Sequence, residues 1–180
     1  MTQNNSTTVL VTGASGFIGM HCVLQLLEQG YKVRGTLRTL DRAKQLREVF
    51  SRHTPAIDQL EFVQTDLLKD DGWCEALSEC DYVLHVASPF PSEMPDNEAD
   101  LIRPAVDGTL RVLKAASAAR VKRVVLTSSV AAIQGGHRDR VRVFTENDWS
   151  DLNGNIDAYA KSKTLAERAA WEYASHQDAS

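Results

Sequence analysis

Apolar residues come in short blocks along this chain, and the blocks alternate between strand and helix spacing. Residues 7–12 read TTVLVT, an apolar run of strand length. After GASGFIG comes MHCVLQLLEQG, where Ile18, Val23, Leu26 and Leu27 can share a helical face and Gly30 suits a helix end. YKVRGTL is a second strand, and a charged helix follows from near Asp41. Residues 60–65 predict a third strand, 72–78 a short helix and 82–86 a fourth strand. The turn-rich SPFPSEMPDNEAD, with Pro89, Pro91 and Pro95, discourages a regular element. A long helix over 101–119 then carries Val106, Leu110 and Leu113 on one side, with Pro104 marking an early turn or kink. VKRVVLT is a fifth strand, GGHRDRVRVFTENDWSDLNGN a loop, and 157–174 a last helix.

Strands apolar on both faces, alternating with helices, predict an α/β fold. The expected form is a Rossmann-like doubly wound parallel sheet of five strands with helices on both sides. Residues 1–6 are expected to be a flexible start, 7–176 the nucleotide-binding domain and 177–180 a polar tail.

Composition narrows the class. The 180 residues are 43% hydrophobic and 24% charged, which allows a sizeable core and argues against wholesale disorder. A net charge of −4 gives no global attraction to nucleic acid, although the arginines of the late loop leave room for a local basic patch. No run approaches the roughly twenty apolar residues of a membrane helix, and the polar start MTQNNSTT is unlike a secretion signal. Cys22, Cys74 and Cys80 form neither a disulfide framework nor a metal pattern. A cytoplasmic protein without metal, membrane or nucleic-acid partner is expected.

The glycine turn carries the strongest local signal. Gly13, Gly16 and Gly19 lie between a strand and an amphipathic helix. There they can make a tight turn, admit a dinucleotide near the backbone and let the helix approach the sheet. Gly13, Ser15, Gly16, Phe17, Ile18 and Gly19 are the candidate cofactor contacts here, against the alternative of a merely structural turn. The second strand ends in Arg38 with no acid before Asp41, which favours NADP over NAD, with Lys44 a more distant phosphate partner. Asp66 can accept from an adenine amino group with the Leu67 backbone nearby, or it can cap a turn. Val86, Ala87 and Ser88 are small enough to pass a ribose or nicotinamide at the fourth strand's end.

Ser128 and Ser129 end the fifth strand, and Tyr159 and Lys163 stand four apart on the last helix. Tyr159 can give a proton to a carbonyl oxygen, Lys163 can lower the tyrosine pKa and bind ribose hydroxyls, and Ser129 can donate to the developing oxyanion. Ser128 is the alternative serine. Lys161 reads as a surface charge and His85 as a packed, hydrogen-bonded residue. No Gly-x-Ser-x-Gly surrounds either serine, which removes the usual hydrolase pattern.

Together, VTGASGFIG, YKVRGTLR, HVASPF, VVLTSS, TENDWSD and YAKSKTLAE resemble the extended short-chain dehydrogenase/reductases, in the dihydroflavonol reductase, cinnamoyl-CoA reductase and bacterial aldehyde/ketone reductase group. The resemblance implies an NADPH-dependent oxidoreductase acting on a small carbonyl or alcohol, with Ser129, Tyr159 and Lys163 as the catalytic trio and Arg38 selecting NADPH. The same superfamily holds sugar-nucleotide epimerases, dehydratases and hydroxysteroid dehydrogenases, and NAD stays possible as cofactor. Relatives of this kind are longer, so the chain reads as an amino-terminal portion without the later lobe. A non-catalytic nucleotide-binding or regulatory protein is the alternative, and monomer and homodimer both stay open.

Overall fold

The computed structural model describes residues 6–90, 95–138 and 141–178; the expected loose start and polar tail fall largely outside these, as does Pro91. Five strands form one parallel sheet in the order β3-β2-β1-β4-β5. They are β1 (Thr8–Thr12), β2 (Lys32–Leu37), β3 (Leu60–Gln64), β4 (Tyr82–His85) and β5 (Arg123–Leu126). Val9 pairs with Val33 on one side and with Tyr82 on the other, so the strand order reverses at β1. That reversal makes the sheet Rossmann-like, and in such folds ligands bind at the carboxyl edge where the order reverses. The helices are α1 (Phe17–Glu28), α2 (Ala43–Ser51), α3 (Trp73–Leu77), α4 (Ala99–Ala118) and α5 (Ala158–Asp178).

Alternation along β1 builds two cores. Val11 joins Val23 and Leu27 of α1 and Leu46 and Phe50 of α2, while Leu10 joins Trp73 and Leu77 of α3 and Val112 and Ala116 of α4. Both faces of the sheet are therefore covered, as the continuous apolar strands require. At the end of α1, the Gly30 N–H donates to Leu27 O and the Tyr31 N–H to Leu26 O, the paired closure that a glycine there permits.

Three expectations need correction. Ile18 is 53% exposed, because it lies in the open first turn of α1, and only Gly19, Val23 and Leu27 of that helix are buried. The buried side of α4 is Leu101, Ala105, Thr109, Val112 and Ala116, whereas Val106, Leu110 and Leu113 are half-buried. Pro104 lies inside the helix without ending it. Nor is every strand apolar throughout. Arg34 of β2 donates to the Ala76 and Ser78 carbonyls at the end of α3, at 2.9 and 2.7 Å, and pairs with Glu61. The outer strand β5 alternates between exposed and half-buried positions, and β3 exposes Glu61 and Gln64.

The chain divides into two compact units. One comprises residues up to Ala87 together with Arg111–Thr127 and contains the whole sheet; the other comprises Ser88–Leu110 and Ser128 onward.

Candidate functional site

The first unit gathers its candidate residues at the carboxyl ends of neighbouring strands. Gly13 follows β1 with φ +68°, a conformation that side-chain-bearing residues rarely adopt, and a Cβ there would lie 3.1 Å from the Ala87 Cα. Gly19 is needed for a different reason. A Cβ on it would stand 2.2 Å from the Gly13 carbonyl oxygen, so the helix reaches this close to the strand end only with hydrogen there. Gly16 precedes α1 in an extended conformation, and its Cβ position meets only the Gly13 oxygen, at an ordinary 3.4 Å.

The amino end of α1 suits an anionic group. Gly16 supplies no side-chain cap, no acid occupies the first turn, and Phe17 and Ile18 are 80% and 53% exposed. The first N–H groups of a helix have no partner within it, and the helix dipole favours negative charge there. Ser15 is half-buried in the same turn.

Arg38 and Lys44 are exposed, Arg38 just beyond β2 and Lys44 in the first turn of α2. Asp66 follows β3, and the Thr65 N–H donates to the Leu37 carbonyl, so the ends of β2 and β3 are tied together. One Asp66 oxygen accepts from the Leu68 N–H at 3.0 Å, so the turn-capping role is present. The Leu67 carbonyl accepts from Arg111, and its side chain packs on the second core.

Two threonines that hydrophobic patterning passes over hold this edge in place. Thr12 is fully buried, and its hydroxyl oxygen accepts from the Val86 and Ala87 N–H groups at 3.0 and 2.9 Å. The same hydroxyl lies 2.7 Å from His85 Nδ1. With its lone pairs engaged by two amides, it donates its proton to Nδ1, and His85 is the packed, hydrogen-bonded residue expected. Thr36 receives the Gly13 N–H on its hydroxyl and the Ala14 N–H on its carbonyl, at 3.3 and 3.2 Å. For Thr12 the available signal was a hydroxyl that ends a run of buried apolar residues.

The second unit holds the other candidates. Asp157 precedes α5 and accepts from the Ala160 N–H at 2.7 Å, which starts the helix squarely before Tyr159. Tyr159 is half-buried, and Phe90 meets its ring edge-on with centroids 5.3 Å apart. Lys163, one turn on, is only 8% exposed, and burial pushes its ammonium below the ordinary lysine value while the Glu167 charge pulls it back up. Ser129 begins a single 3-10 turn, Val130–Ala132, and that turn packs against α5. Its hydroxyl oxygen accepts from the Ala131 N–H at 3.2 Å, which leaves its own proton to donate elsewhere. Ser128 instead donates to Glu167. Ser88 is half-buried.

Lys161 is a surface charge with a partner: its ammonium lies 2.8 Å from both carboxylate oxygens of Glu98. Ser150, buried and unmarked by any motif, accepts from the Gly135 N–H at 2.7 Å and donates to the Ala131 carbonyl at 2.8 Å. In the late loop Arg142 pairs with Asp148 at 2.7 Å and lies over Phe144. Among the described residues no cluster of His, Cys, Asp and Glu could hold a metal, and no helix is long and apolar enough to cross a membrane.

A five-stranded Rossmann-like sheet, a glycine turn after β1 and a Tyr-x-x-x-Lys helix define a protein of the extended short-chain dehydrogenase/reductase type. The chain belongs to the NAD dependent epimerase/dehydratase family, which it matches over residues 9–180. It is 41% identical over 179 residues to an uncharacterized oxidoreductase of Schizosaccharomyces pombe, covering 92% of this chain and 52% of that protein. It is 40% identical over 174 residues to dihydroflavonol 4-reductase of Arabidopsis thaliana, covering 93% of this chain and 45% of that one. Among solved structures it is similar to the yeast methylglyoxal/isovaleraldehyde reductase complexed with NADPH, with a TM-score of 0.82 and 34% identity over 96% of this chain and 54% of that one. The chain thus spans about half the length of the relatives it matches.

Proposed function

We propose that the chain carries the nucleotide-binding and proton-transfer parts of an NADPH-dependent reductase that converts an aldehyde or ketone to an alcohol. The observation that carries this reading is the second unit's arrangement: Tyr159 and Lys163 one turn apart on α5, with the Ser129 turn packed on the same helix. Support for the cofactor comes from the open amino end of α1, from exposed Arg38 after β2, and from the NADPH-bound yeast reductase.

In this proposal Gly13, Ser15, Gly16, Phe17, Ile18 and Gly19 hold the pyrophosphate. Arg38, with Lys44 further off, pairs with the 2′-phosphate, Asp66 and Leu67 meet the adenine, and Val86, Ala87 and Ser88 give passage beside the ribose. Bound NADPH supplies a hydride to the carbonyl carbon. Tyr159 delivers its phenolic proton to the carbonyl oxygen, and the phenolate is reprotonated from solvent. The Lys163 ammonium stabilises that phenolate and hydrogen-bonds ribose hydroxyls. Ser129 donates to the oxygen as negative charge grows on it.

The test is NADPH oxidation over an aldehyde and ketone panel, alongside fluorescence titration of NADPH and NADH. NADPH is expected to bind at least tenfold more tightly than NADH, and Arg38→Ala to remove that preference; equal affinities in the parent chain refute the phosphate assignment. Tyr159→Phe is expected to lower turnover by about 10²-fold or more with NADPH affinity within a few-fold, and undiminished turnover removes Tyr159 from its role. The second reading is a cofactor-binding protein without turnover. NADPH binding with no oxidation across the panel selects it.

A further inference from the structure

Glu167 stands one turn beyond Lys163, on the helix that carries Tyr159. Its two carboxylate oxygens are engaged from different directions. One accepts from the Ser128 hydroxyl, the residue next to the serine assigned above to the oxyanion, and the other from the Trp171 Nε1–H at 3.3 Å. The side chain is thereby tied to Ser128 through one oxygen and to the tryptophan turn of its own helix through the other. Resting on the reductase reading above, we propose that Glu167 is a positioning residue for the reaction, anchoring Ser128, and through it Ser129, to α5 while placing a negative charge one turn from Lys163.

The charge matters because Lys163 is buried. Burial disfavours its ammonium, and the Glu167 carboxylate opposes that effect. Among the described residues, α5 itself brings Tyr159 and Glu167 one turn to either side of Lys163. The Val130–Ala132 turn packed on α5 has no titratable group, and Ser128 is neutral. Glu98 is engaged by Lys161, and Arg168 lies 5.1 Å over the Trp149 ring. Glu167 is a carboxylate that favours the charged form of Lys163. That form is the one able to stabilise a Tyr159 phenolate and to donate to a ribose hydroxyl.

The readout is the titration of Lys163 in the full chain, followed by NMR of 13C-labelled lysine side chains and assigned with Lys163→Met. Glu167→Gln keeps the size of the side chain and removes its charge. The Lys163 midpoint is expected to fall by about one pH unit, with the other lysines unmoved. Glu167→Asp keeps the charge and is expected to restore most of that shift, a rescue that a merely structural role would not produce. If the chain turns over carbonyls, kcat in Glu167→Gln falls about tenfold with NADPH affinity within threefold. An unchanged Lys163 midpoint in Glu167→Gln overturns the proposal, as does an equal fall in Glu167→Asp. A parent chain that oxidises no NADPH refutes the reductase reading alone, since the lysine titration still decides what Glu167 does.

Discussion

Replacing Gly19 by Ala should destabilise the chain, although the same change in an ordinary helix would stabilise it. Alanine is favoured over glycine inside a helix by about 1 kcal/mol. Here the added Cβ would stand 2.2 Å from the Gly13 carbonyl oxygen and 2.9 Å from its carbon, both backbone atoms, and the shorter approach has to open to about 3.4 Å. That oxygen already accepts from the Gly16 N–H at 2.9 Å, and the Gly13 N–H is held by Thr36, so the turn is braced against moving. Overpacking of this kind costs about 1–3 kcal/mol, and a braced backbone puts the cost at the upper end. The net expectation is a loss of about 2 kcal/mol, or about 4–8 °C in Tm for a chain of this size. Gly16→Ala is the contrast. Its Cβ meets nothing closer than 3.4 Å, so stability should change by no more than about 1 kcal/mol, the size of a helix-cap effect. NADPH affinity, in contrast, should fall at least tenfold, because the methyl group takes the space proposed for the pyrophosphate. Urea unfolding followed by circular dichroism measures the first quantity, and fluorescence titration the second. A Gly19→Ala chain as stable as the parent refutes the close-approach argument. A Gly16→Ala chain with unchanged NADPH affinity refutes the cofactor role of that glycine.

Thr12→Val keeps the shape of a buried side chain but leaves the Val86 and Ala87 amides without their acceptor, so a loss of about 2–4 kcal/mol is expected by urea unfolding. Thr12→Ser, which retains the hydroxyl, should recover most of it, and equal losses in both variants count against the hydrogen-bond account. Asp81 joins the starts of three strands: its carboxylate accepts from Lys122 at 2.7 Å and from the Thr8 N–H at 2.9 Å, and these partners hold its carboxyl below the ordinary aspartate value. A carboxyl depressed by folding stabilises the fold above the unfolded value, near pH 4, and that contribution drains away as pH falls through the lower folded value. Asp81→Asn should therefore cost about 1 kcal/mol at pH 7 and progressively less below about pH 4, measured by urea unfolding across pH. A difference independent of pH refutes the linkage.

How much was legible in the sequence depended on the range of the interaction. Strand and helix positions followed from period and punctuation, because Val9, Leu10 and Val11 must be buried whatever surrounds them and Gly30 closes a helix through its own neighbours. The glycine turn and the Tyr159–Lys163 spacing were equally local, since both are fixed within two turns of one element. The side of α4 that is buried was not legible, because Val106, Leu110 and Leu113 and the smaller face of Ala105, Thr109 and Ala116 are both consistent with a helix, and only close packing chooses between them.

The partners that tune the site join residues far apart in the chain. Thr12 reaches Val86 and Ala87 across 74 and 75 residues, Lys161 reaches Glu98 across 63, and Ser128 reaches Glu167 across 39. Sequence alone determined the α/β alternation, the glycine turn and the Tyr-x-x-x-Lys helix, since each is set by neighbours along the chain. Only the tertiary structure decided which carboxylate supports Lys163, which serine it holds and which threonine braces the turn. A hydrogen bond depends on where two atoms meet in space, and no spacing along the chain encodes that meeting.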